Sequence, residues 1–370
     1  MKEVPTSAEL ALLASSRQPL HDAPLVMLWS CGFSRHAYMY EPVALTLIAG
    51  FQEAGAHVVR GIGTKRSDRP SFVGNYSLLG HGDFFVWIGI CEWHQQPWEL
   101  LRTRGVRRIL YQSEPTHDCY GLTSKHLDEL WDYSLHNIDS CRTKTHRPPV
   151  LRYVPLGAVP TLVRPPTALP ASPPKLVFLG LLSEGHPERR RCLMQLRDAL
   201  APVTSSLQLI SGAWNPTSFQ QLVDGGHVYV NVHKHCGDAH QPVTFRHAKL
   251  LNAEAGPLLS EPSYPADERE YAGMVTFLSN MSAIATEYMR LRVMSDATRR
   301  GAGPARRRGR AAAAAFRRSF QPRDIFWRAG LYADQPPTSS FLSPLRTLRA
   351  PPDVPMRMVD FVRGSPQSFG

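Results

Sequence analysis

Residues 245–261 read FRHAKLLNAEAGPLLSE and predict a helix followed directly by a strand. Apolar residues recur at helical spacing as far as Gly256 and Pro257, and a Gly-Pro step is typical of a helix end. The short run PLLS that follows is typical of a buried strand, and so is VYVNVHKH at residues 228–235 before the helix. Together the three segments predict a strand–helix–strand unit, from which parallel α/β sheets are built.

The same alternation of apolar runs and helical segments extends outward in both directions. The runs PLVMLWSCG, GDFFVWIGI and RRILYQSEPT lie in the N-terminal half, and KLVFLGLL and SLQLISGAW lie in the C-terminal half. Strands that alternate with helices favour a parallel sheet with crossover helices. The sequence therefore predicts an α/β fold with two Rossmann-like domains.

A proline-rich stretch between the two halves predicts a linker, because it lacks a helical period and carries little charge. We expect an N-terminal domain over residues 1–155, a linker over 156–174 and a C-terminal domain over 175–328. A basic helical segment closes the second domain, and residues 329–370 form a Pro-rich tail.

Composition and charge limit the classes of protein. The chain has 370 residues, is 43% hydrophobic and has a formal net charge of +11, and ten arginines between residues 299 and 328 nearly account for that charge. No apolar run is long enough to span a membrane, and the first residues lack the features of a signal peptide. This favours a cytoplasmic protein without a membrane span. The six cysteines are scattered without a CxxC motif, so we expect reduced thiols.

Charged residues lie at both ends of the opening stretch. Residues 242–244 read as a helix start, which places Arg246 in the first turn, where a cation is unfavourable unless it binds an anion. Glu261 ends the following strand, and carboxylates at that position accept hydrogen bonds from ribose hydroxyls in dinucleotide folds. The pattern predicts a site for a nucleotide diphosphate.

The segments FLG, YVNVH, TFR, LLNAEAGPLLSE and YAGMVTF, in this order between residues 178 and 277, resemble the group-1 type of GT-B glycosyltransferases. The resemblance is to the spore-protein CgeB-like branch in particular, and RRILYQSEPT is similar to the strand and turn before the acceptor side of that branch. It implies metal-independent transfer of a sugar from a nucleotide-sugar co-substrate, with no further cofactor. A glycan, a protein or a small molecule is the implied acceptor, held by the N-terminal domain.

The resemblance also implies roles for individual residues. Arg246 neutralises the diphosphate and Glu261 holds the nucleotide, while Asn231 and His233 lie near the donor sugar or phosphate. Lys249 and Arg189 are further candidates for the diphosphate. The candidate catalytic residues, which include bases for the acceptor hydroxyl, are His117, Glu114 and His233.

Two other functions fit parts of the sequence. A degenerate GT-B domain that binds a nucleotide or polyanion without turnover fits Leu251, which replaces the ribose-binding glutamate of many group-1 members. A metal-dependent hydrolase fits the cluster His233, His235, Cys236, Asp238 and His240, although no second ligand pair with zinc spacing accompanies it. The arginine segment lacks interleaved aromatic residues, which argues against nucleic acid as a partner.

Overall fold

The structure is a computed structural model, and it describes residues 23–30, 37–62, 76, 78–89, 96–114, 122–160, 164–166, 173–180, 182, 186–211, 215–238, 245–296 and 303–331. These residues form two α/β units. Unit 1 takes in the described parts of residues 1–133, 137–155 and 322–370, and unit 2 those of 134–136 and 156–321.

Unit 1 contains one six-stranded sheet in which every strand pair is parallel. The strand order is β2-β1-β3-β4-β5-β6. Its strands and helices are β1 (Leu25–Ser30), α1 (Ala37–Glu53), β2 (His57–Ile62), β3 (Phe84–Ile88), α2 (Trp98–Thr103), β4 (Arg107–Gln112), β5 (Glu129–Asp132), α3 (Leu135–Lys144) and β6 (Val150–Tyr153).

Unit 2 contains a five-stranded parallel sheet of order β11-β10-β9-β7-β8. A 3-10 turn at Ala201–Ser206 precedes β8. Its strands and helices are β7 (Leu176–Leu179), α4 (Pro187–Ala199), β8 (Leu207–Ile210), α5 (Pro216–Asp224), β9 (Val228–Asn231), α6 (Phe245–Asn252), β10 (Leu258–Ser260), α7 (Pro265–Glu270), β11 (Thr276–Phe277), α8 (Met281–Asp296) and α9 (Pro304–Ser319). The last helix of the chain that the structure describes, α10 (Pro322–Arg328), belongs to unit 1.

The central strands are largely apolar because helices cover both faces of a parallel sheet. All residues of β3, β7 and β9 are buried. The predicted α/β class with two Rossmann-like sheets is thus confirmed. The chain has the strand–helix–strand unit that the opening stretch predicts, with α6 between β9 and β10.

Gly256, between α6 and β10, allows a close approach of two backbone segments. A Cβ at this position would lie 2.1 Å from the carbonyl oxygen of His227, and the backbone has a φ of +153°. Gly309 of α9 packs against the same turn, where its own Cβ would lie 2.7 Å from the Cα of Gly256. The glycine that reads as a helix stop is therefore also a packing requirement.

Helix α10 and the start of the predicted linker lie next to the boundaries between the two units. Helix α10 packs in unit 1, where the Phe326 ring meets the Phe51 ring at 5.1 Å and the Trp131 ring at 5.9 Å. The predicted boundaries place this helix in the C-terminal domain. The start of the predicted linker packs in unit 2, because the Asn252 side chain bonds the carbonyl of Gly157 and the N–H of Val159. Residues 332–370 of the predicted tail lie outside the described residues.

Candidate functional site

In the sheet of unit 2, the order in which strands are added reverses at β7. The chain passes from β7 to β8 on one side, and β9 then pairs with β7 on the other side. Open parallel sheets bind ligands at such a switch point, beyond the carboxyl ends of the strands. Here those ends carry Gly180, after β7, and Asn231, the last residue of β9.

Arg246 lies at this switch point, in the first turn of α6. Its Nη1 donates to Oδ1 of Asn231 at 2.5 Å, and its guanidinium carbon is 5.1 Å from the centre of the Phe178 ring. A Cβ on Gly180 would lie 2.8 Å from Nη2 of Arg246, so the glycine leaves room for the guanidinium. The Nε of Arg246 is buried and bonds no group in the described part of the chain.

Arg189, from α4, approaches the same ring. Its guanidinium carbon is 5.8 Å from the centre of the Phe178 ring, and its Nε donates to the carbonyls of Val232 and His233, both at 3.2 Å. Burial lowers the pKa of Arg189, and the carboxylate of Glu261 raises it in part. Burial and the charge of Arg189 lower the pKa of Arg246 to about 9. Two cations share one aromatic ring, an arrangement that an anion would stabilise.

Glu261 follows β10 and is 2% exposed. Its Oε1 accepts from the backbone N–H of His233, and its Oε2 accepts from the N–H of Gly237 at 2.9 Å. Burial raises its pKa, and these two hydrogen bonds lower it in part. The carboxylate therefore fixes the loop after β9, which also carries the carbonyls that hold Arg189.

His233 is also buried, at 2% exposure. Its Nε2 lies 3.1 Å from the carbonyl of Pro262 and 3.1 Å from Oγ of Ser263. Burial lowers the pKa of His233 to about 3, the hydrogen bond to Pro262 opposes this, and the charges of Arg246 and Arg189 add to it. The imidazole is thus neutral near pH 7, and a neutral ring that donates from Nε2 keeps its lone pair on Nδ1.

Five of the candidate residues come together at the carboxyl ends of the strands of unit 2, namely Arg246, Arg189, Asn231, His233 and Glu261. The Nζ of Lys249, by contrast, lies 4.7 Å from the centre of the Phe219 ring on α5. Glu114 follows β4 in unit 1 and is exposed, and His117 lies outside the described residues, as do residues 242–244.

Phe178 and Gly180 are site residues that sequence reasoning missed. They belong to the segment FLG, one of the segments that carry the resemblance. A glycine directly after the first strand of a Rossmann-like unit, where a ligand or side chain must come close, was the available signal.

The described members of the candidate metal cluster do not form a group that could hold a metal ion. Cys236 forms a disulfide with Cys192 of α4, and Nδ1 of His235 lies 3.2 Å from Oε2 of Glu188. His240 lies outside the described residues, and within those the structure does describe, no group of three or more His, Cys, Asp or Glu side chains could hold a metal ion. The expectation of reduced thiols is wrong for Cys192 and Cys236, since the fold brings residues 44 apart in sequence into contact. It is also wrong for Cys141, which is disulfide-bonded as well.

Several arginines of the basic segment take part in the packing of unit 2. Arg308 pairs with Glu287 and also donates to Oγ1 of Thr276 at 2.6 Å, and Arg317 pairs with Glu254 at 2.8 Å. These side chains hold α9 against its neighbours. Part of the charge that suggested a polyanion partner is therefore neutralised within the unit.

No protein-family model matches this chain, and no curated protein matches it either. Among solved structures it is similar to the Gap123 glycosylation-associated protein complex of Streptococcus agalactiae, with 7% identity, a TM-score of 0.43 and coverage of 70% of this chain and 56% of that one. It is also similar to a UDP-forming trehalose-phosphate synthase from Burkholderia xenovorans, with 10% identity, a TM-score of 0.49 and coverage of 82% and 98%. A third is WaaG, a glycosyltransferase involved in lipopolysaccharide biosynthesis, with 10% identity, a TM-score of 0.46 and coverage of 83% and 100%.

These likenesses are too distant for a function to be inferred from them. In the described part of the chain, no helix is both long and apolar enough to cross a membrane.

Proposed function

We propose that this protein is a glycosyltransferase that uses a nucleotide-diphosphate sugar as its donor. One observation carries the proposal: two guanidiniums, those of Arg189 and Arg246, lie over one ring at the switch point of unit 2. Arg246 has no carboxylate partner among the described residues. A diphosphate would supply the missing negative charge and accept hydrogen bonds from both side chains.

The reaction needs this charge most when the donor breaks. The bond between the anomeric carbon and the diphosphate oxygen is cleaved, a bond to the acceptor oxygen forms, and the acceptor proton leaves. Negative charge then accumulates on the departing nucleoside diphosphate, where positioned cations stabilise the transition state more than the ground state. In this proposal Arg246 and Arg189 do so without a metal, as the resemblance to group-1 GT-B glycosyltransferases implies.

The other candidate residues receive proposed roles. Asn231 holds Arg246 in place, and Glu261 holds the loop through which His233 and its neighbours approach the donor. Lys249 is proposed as a weaker contributor to the diphosphate, since its amine lies on Phe219. Glu114 and His117 are the proposed bases for the acceptor hydroxyl.

The compartment is also a proposal. A cytoplasmic location is an expectation from the sequence, while disulfides such as Cys192–Cys236 are rare in the reducing cytosol. Thiol titration of protein purified from cells, with reduction blocked at lysis, would decide between a reduced and an oxidised state. A fully bonded pair in the cell extract would contradict the cytoplasmic expectation.

The first test is calorimetric titration with UDP, GDP, CMP and inorganic pyrophosphate. We expect one nucleoside diphosphate to bind, and Arg246→Ala to weaken it about 10- to 100-fold, because a hydrogen bond to a charged group contributes about 1.5–3 kcal/mol. Arg191→Ala is the matched control, since it removes an exposed arginine from α4. An unchanged affinity in Arg246→Ala, or no binding of any compound, would refute the proposed donor site.

Turnover separates transfer from binding alone. Release of free nucleoside diphosphate from the matching nucleotide sugar, measured with and without candidate acceptors, is expected to depend on Arg246. Tight binding without any release would favour the degenerate domain that Leu251 suggests.

A further inference from the structure

The disulfide between Cys192 and Cys236 joins two segments of the candidate site in unit 2. Cys192 lies on α4, one helical turn after Arg189. Cys236 lies in residues 232–238, the loop that follows β9, which we call the β9 loop. The Cα atoms of the two cysteines are 6.4 Å apart, within the usual range for a disulfide. The bond therefore ties the helix that carries Arg189 to the loop that this arginine contacts.

The β9 loop contacts two residues of the candidate site, Arg189 and Glu261, through its main chain. The carbonyls of Val232 and His233 accept from Nε of Arg189, both at 3.2 Å. The N–H of Gly237, next in the chain after the bonded cysteine, donates to Oε2 of Glu261 at 2.9 Å. A shift of the loop would therefore disturb the contacts of both side chains together.

The two ends of the disulfide are anchored differently. On α4, Cys192 belongs to a hydrophobic core of unit 2 together with Leu193 and Leu196, which are fully buried. On the loop, His235 is exposed and Cys236 is partly exposed. Loss of the bond would therefore free the loop side, because packing in the core keeps the helix in place.

A noncovalent contact between the β9 loop and α4 is weak beside the disulfide. Nδ1 of His235 lies 3.2 Å from Oε2 of Glu188, and both side chains are about half exposed. Exposed pairs of this kind contribute little to stability. With the disulfide formed, the loop cannot move away from α4, and without it weaker contacts such as this one must resist local opening.

Reduction of the pair requires a dithiol reductant. Cys236 is more exposed than Cys192, so we expect a thiolate of the reductant to attack Sγ of Cys236. The S–S bond breaks, its electron pair passes to Sγ of Cys192, and that sulfur takes a proton. The second thiol then attacks the reductant sulfur of the mixed disulfide and releases Cys236 as a thiol. The protein has gained two electrons and two protons, and the reductant has become a disulfide.

We propose that Cys192 and Cys236 form a redox switch that positions the β9 loop and, through it, Arg189. The oxidised pair keeps the loop carbonyls on Nε of Arg189 and the guanidinium over the Phe178 ring. The reduced pair lets the loop open, and Arg189 then loses these acceptors. On the proposed function, on which this last step rests, the oxidised protein binds a nucleoside diphosphate more tightly than the reduced protein.

Hydrogen–deuterium exchange of the full chain tests the movement of the loop without any nucleotide. Mass spectrometry of peptides that cover residues 228–238 would compare the oxidised protein with protein reduced by dithiothreitol. These peptides include the amides of His233 and Gly237, which donate to Glu261. We expect their exchange to become at least about 5-fold faster on reduction. The double variant Cys192→Ala/Cys236→Ala should exchange at the faster rate with and without dithiothreitol.

Calorimetric titration with UDP and GDP tests the effect on the candidate site. We expect whichever compound binds the oxidised protein to bind the reduced protein about 5-fold more weakly, the effect of about one lost hydrogen bond. Dithiothreitol also acts on the disulfide of Cys141, which lies in unit 1. Cys141→Ala is therefore the matched control and should keep the redox response, whereas the double alanine variant should lose it.

Four results would overturn the switch. These are a pair that dithiothreitol leaves intact in the folded protein, unchanged exchange on reduction, faster exchange with unchanged affinity, and a redox response that persists in the double alanine variant. Thiol titration of the same samples measures the first. Faster exchange in a protein that binds neither UDP nor GDP would instead support the positioning of the β9 loop and refute only the donor proposal.

Discussion

Each unit holds a pair of buried or partly buried arginines, but the two pairs have different surroundings. In unit 1, Arg107 and Arg152 converge on Glu129, which is 2% exposed. Nε of Arg152 donates to Glu129 at 2.6 Å, and Nε1 of Trp131 donates to it at 2.5 Å. In unit 2, Arg189 and Arg246 converge on the ring of Phe178.

The position in the sheet differs as well. Glu129 is the first residue of β5, so the paired cluster lies at the amino end of its strand, whereas Arg246 bonds Asn231 at the carboxyl end of β9. Ligands bind at carboxyl ends in folds of this class. A buried arginine with a carboxylate partner stabilises the fold, and one without a partner, at the ligand end, is a candidate binding group.

The largest loss of stability is expected when Glu129, the carboxylate between Arg107 and Arg152, is removed. Glu129→Ala leaves two buried guanidiniums without their carboxylate, and removing one partner of a buried ion pair costs about 3–5 kcal/mol. Urea unfolding would measure the change in free energy. Glu99→Ala is the control, because its exposed pair with Arg102 should contribute nothing measurable. Equal losses in the two variants would refute the structural role of the Glu129 cluster.

Removing Arg246 should lower ligand affinity with little loss of stability, the reverse of what we expect for Glu129. Arg246→Met loses the hydrogen bond to Asn231, but it keeps an apolar chain on Phe178 and removes a buried charge that lies beside a like charge. Because these effects oppose each other, the free energy of unfolding should change by less than about 1 kcal/mol. Nucleoside diphosphate affinity should nevertheless fall as strongly as in Arg246→Ala. Urea unfolding and calorimetry on the same protein sample measure both quantities. A loss of stability comparable to that of Glu129→Ala would make Arg246 a structural residue.

The fold was predictable from the sequence because buried parallel strands are continuous apolar runs. Runs such as LVFL and VYVN, each followed by a helical segment, predict parallel sheets, and the two sheets confirm this. The predicted boundaries place helix α10 in the C-terminal domain because its sequence continues the basic segment. Its packing in unit 1 depends on Phe326 meeting Gly50, whose Cβ would lie 2.2 Å from that ring, and such a contact leaves no local pattern.

The candidate site was predictable only in part. The position of Arg246 in a first helical turn and of Glu261 after a strand follows from the local pattern. The use of both Glu261 oxygens by the N–H groups of His233 and Gly237 depends on the shape of one loop. The disulfide between Cys192 and Cys236 likewise depends on how distant segments meet, which spacing alone does not give.

Removing Arg189 should have an effect between those of the Glu129 and Arg246 variants, because Arg189 has both a structural contact and a place in the candidate site. Its Nε holds two backbone carbonyls, while the rest of its guanidinium faces the ring that Arg246 shares. Arg189→Ala should therefore lower both the free energy of unfolding, by about 1–2 kcal/mol, and the nucleotide affinity, by about 10-fold. Arg190→Ala, at an exposed neighbouring position, is the control. An affinity loss without any loss of stability would mean that the carbonyl contacts are not important.

The smallest expected effect is on how stability changes with pH, through the two buried glutamates Glu129 and Glu261. Burial raises the pKa of Glu129, but Arg107, Arg152 and their hydrogen bonds outweigh it, so the net pKa is lowered. Burial raises the pKa of Glu261, and the backbone hydrogen bonds reverse this only in part, so its net pKa stays raised. The difference arises because only Glu129 has arginines bonded directly to it.

The two carboxyl groups should therefore change stability with pH in opposite directions. The stability from Glu129 is present above the unfolded pKa and is lost as the pH falls through its lower folded pKa. The stability from Glu261 is present below the unfolded pKa and is lost as the pH rises through its higher folded pKa. Each slope is at most about 1.4 kcal/mol per pH unit.

Urea unfolding of wild type, Glu129→Gln and Glu261→Gln between about pH 3.5 and pH 7 would measure this. The stability of wild type relative to Glu129→Gln should shrink toward acid pH, and its stability relative to Glu261→Gln should shrink toward neutral pH. Glutamine keeps the shape of each side chain but turns one accepting oxygen into a donating amide; because that change does not vary with pH, the pH dependence of the difference reports the carboxyl charge. Parallel curves would mean that the charge of Arg189 and the backbone hydrogen bonds outweigh burial at Glu261, so that the net pKa of Glu261 is lowered as that of Glu129 is.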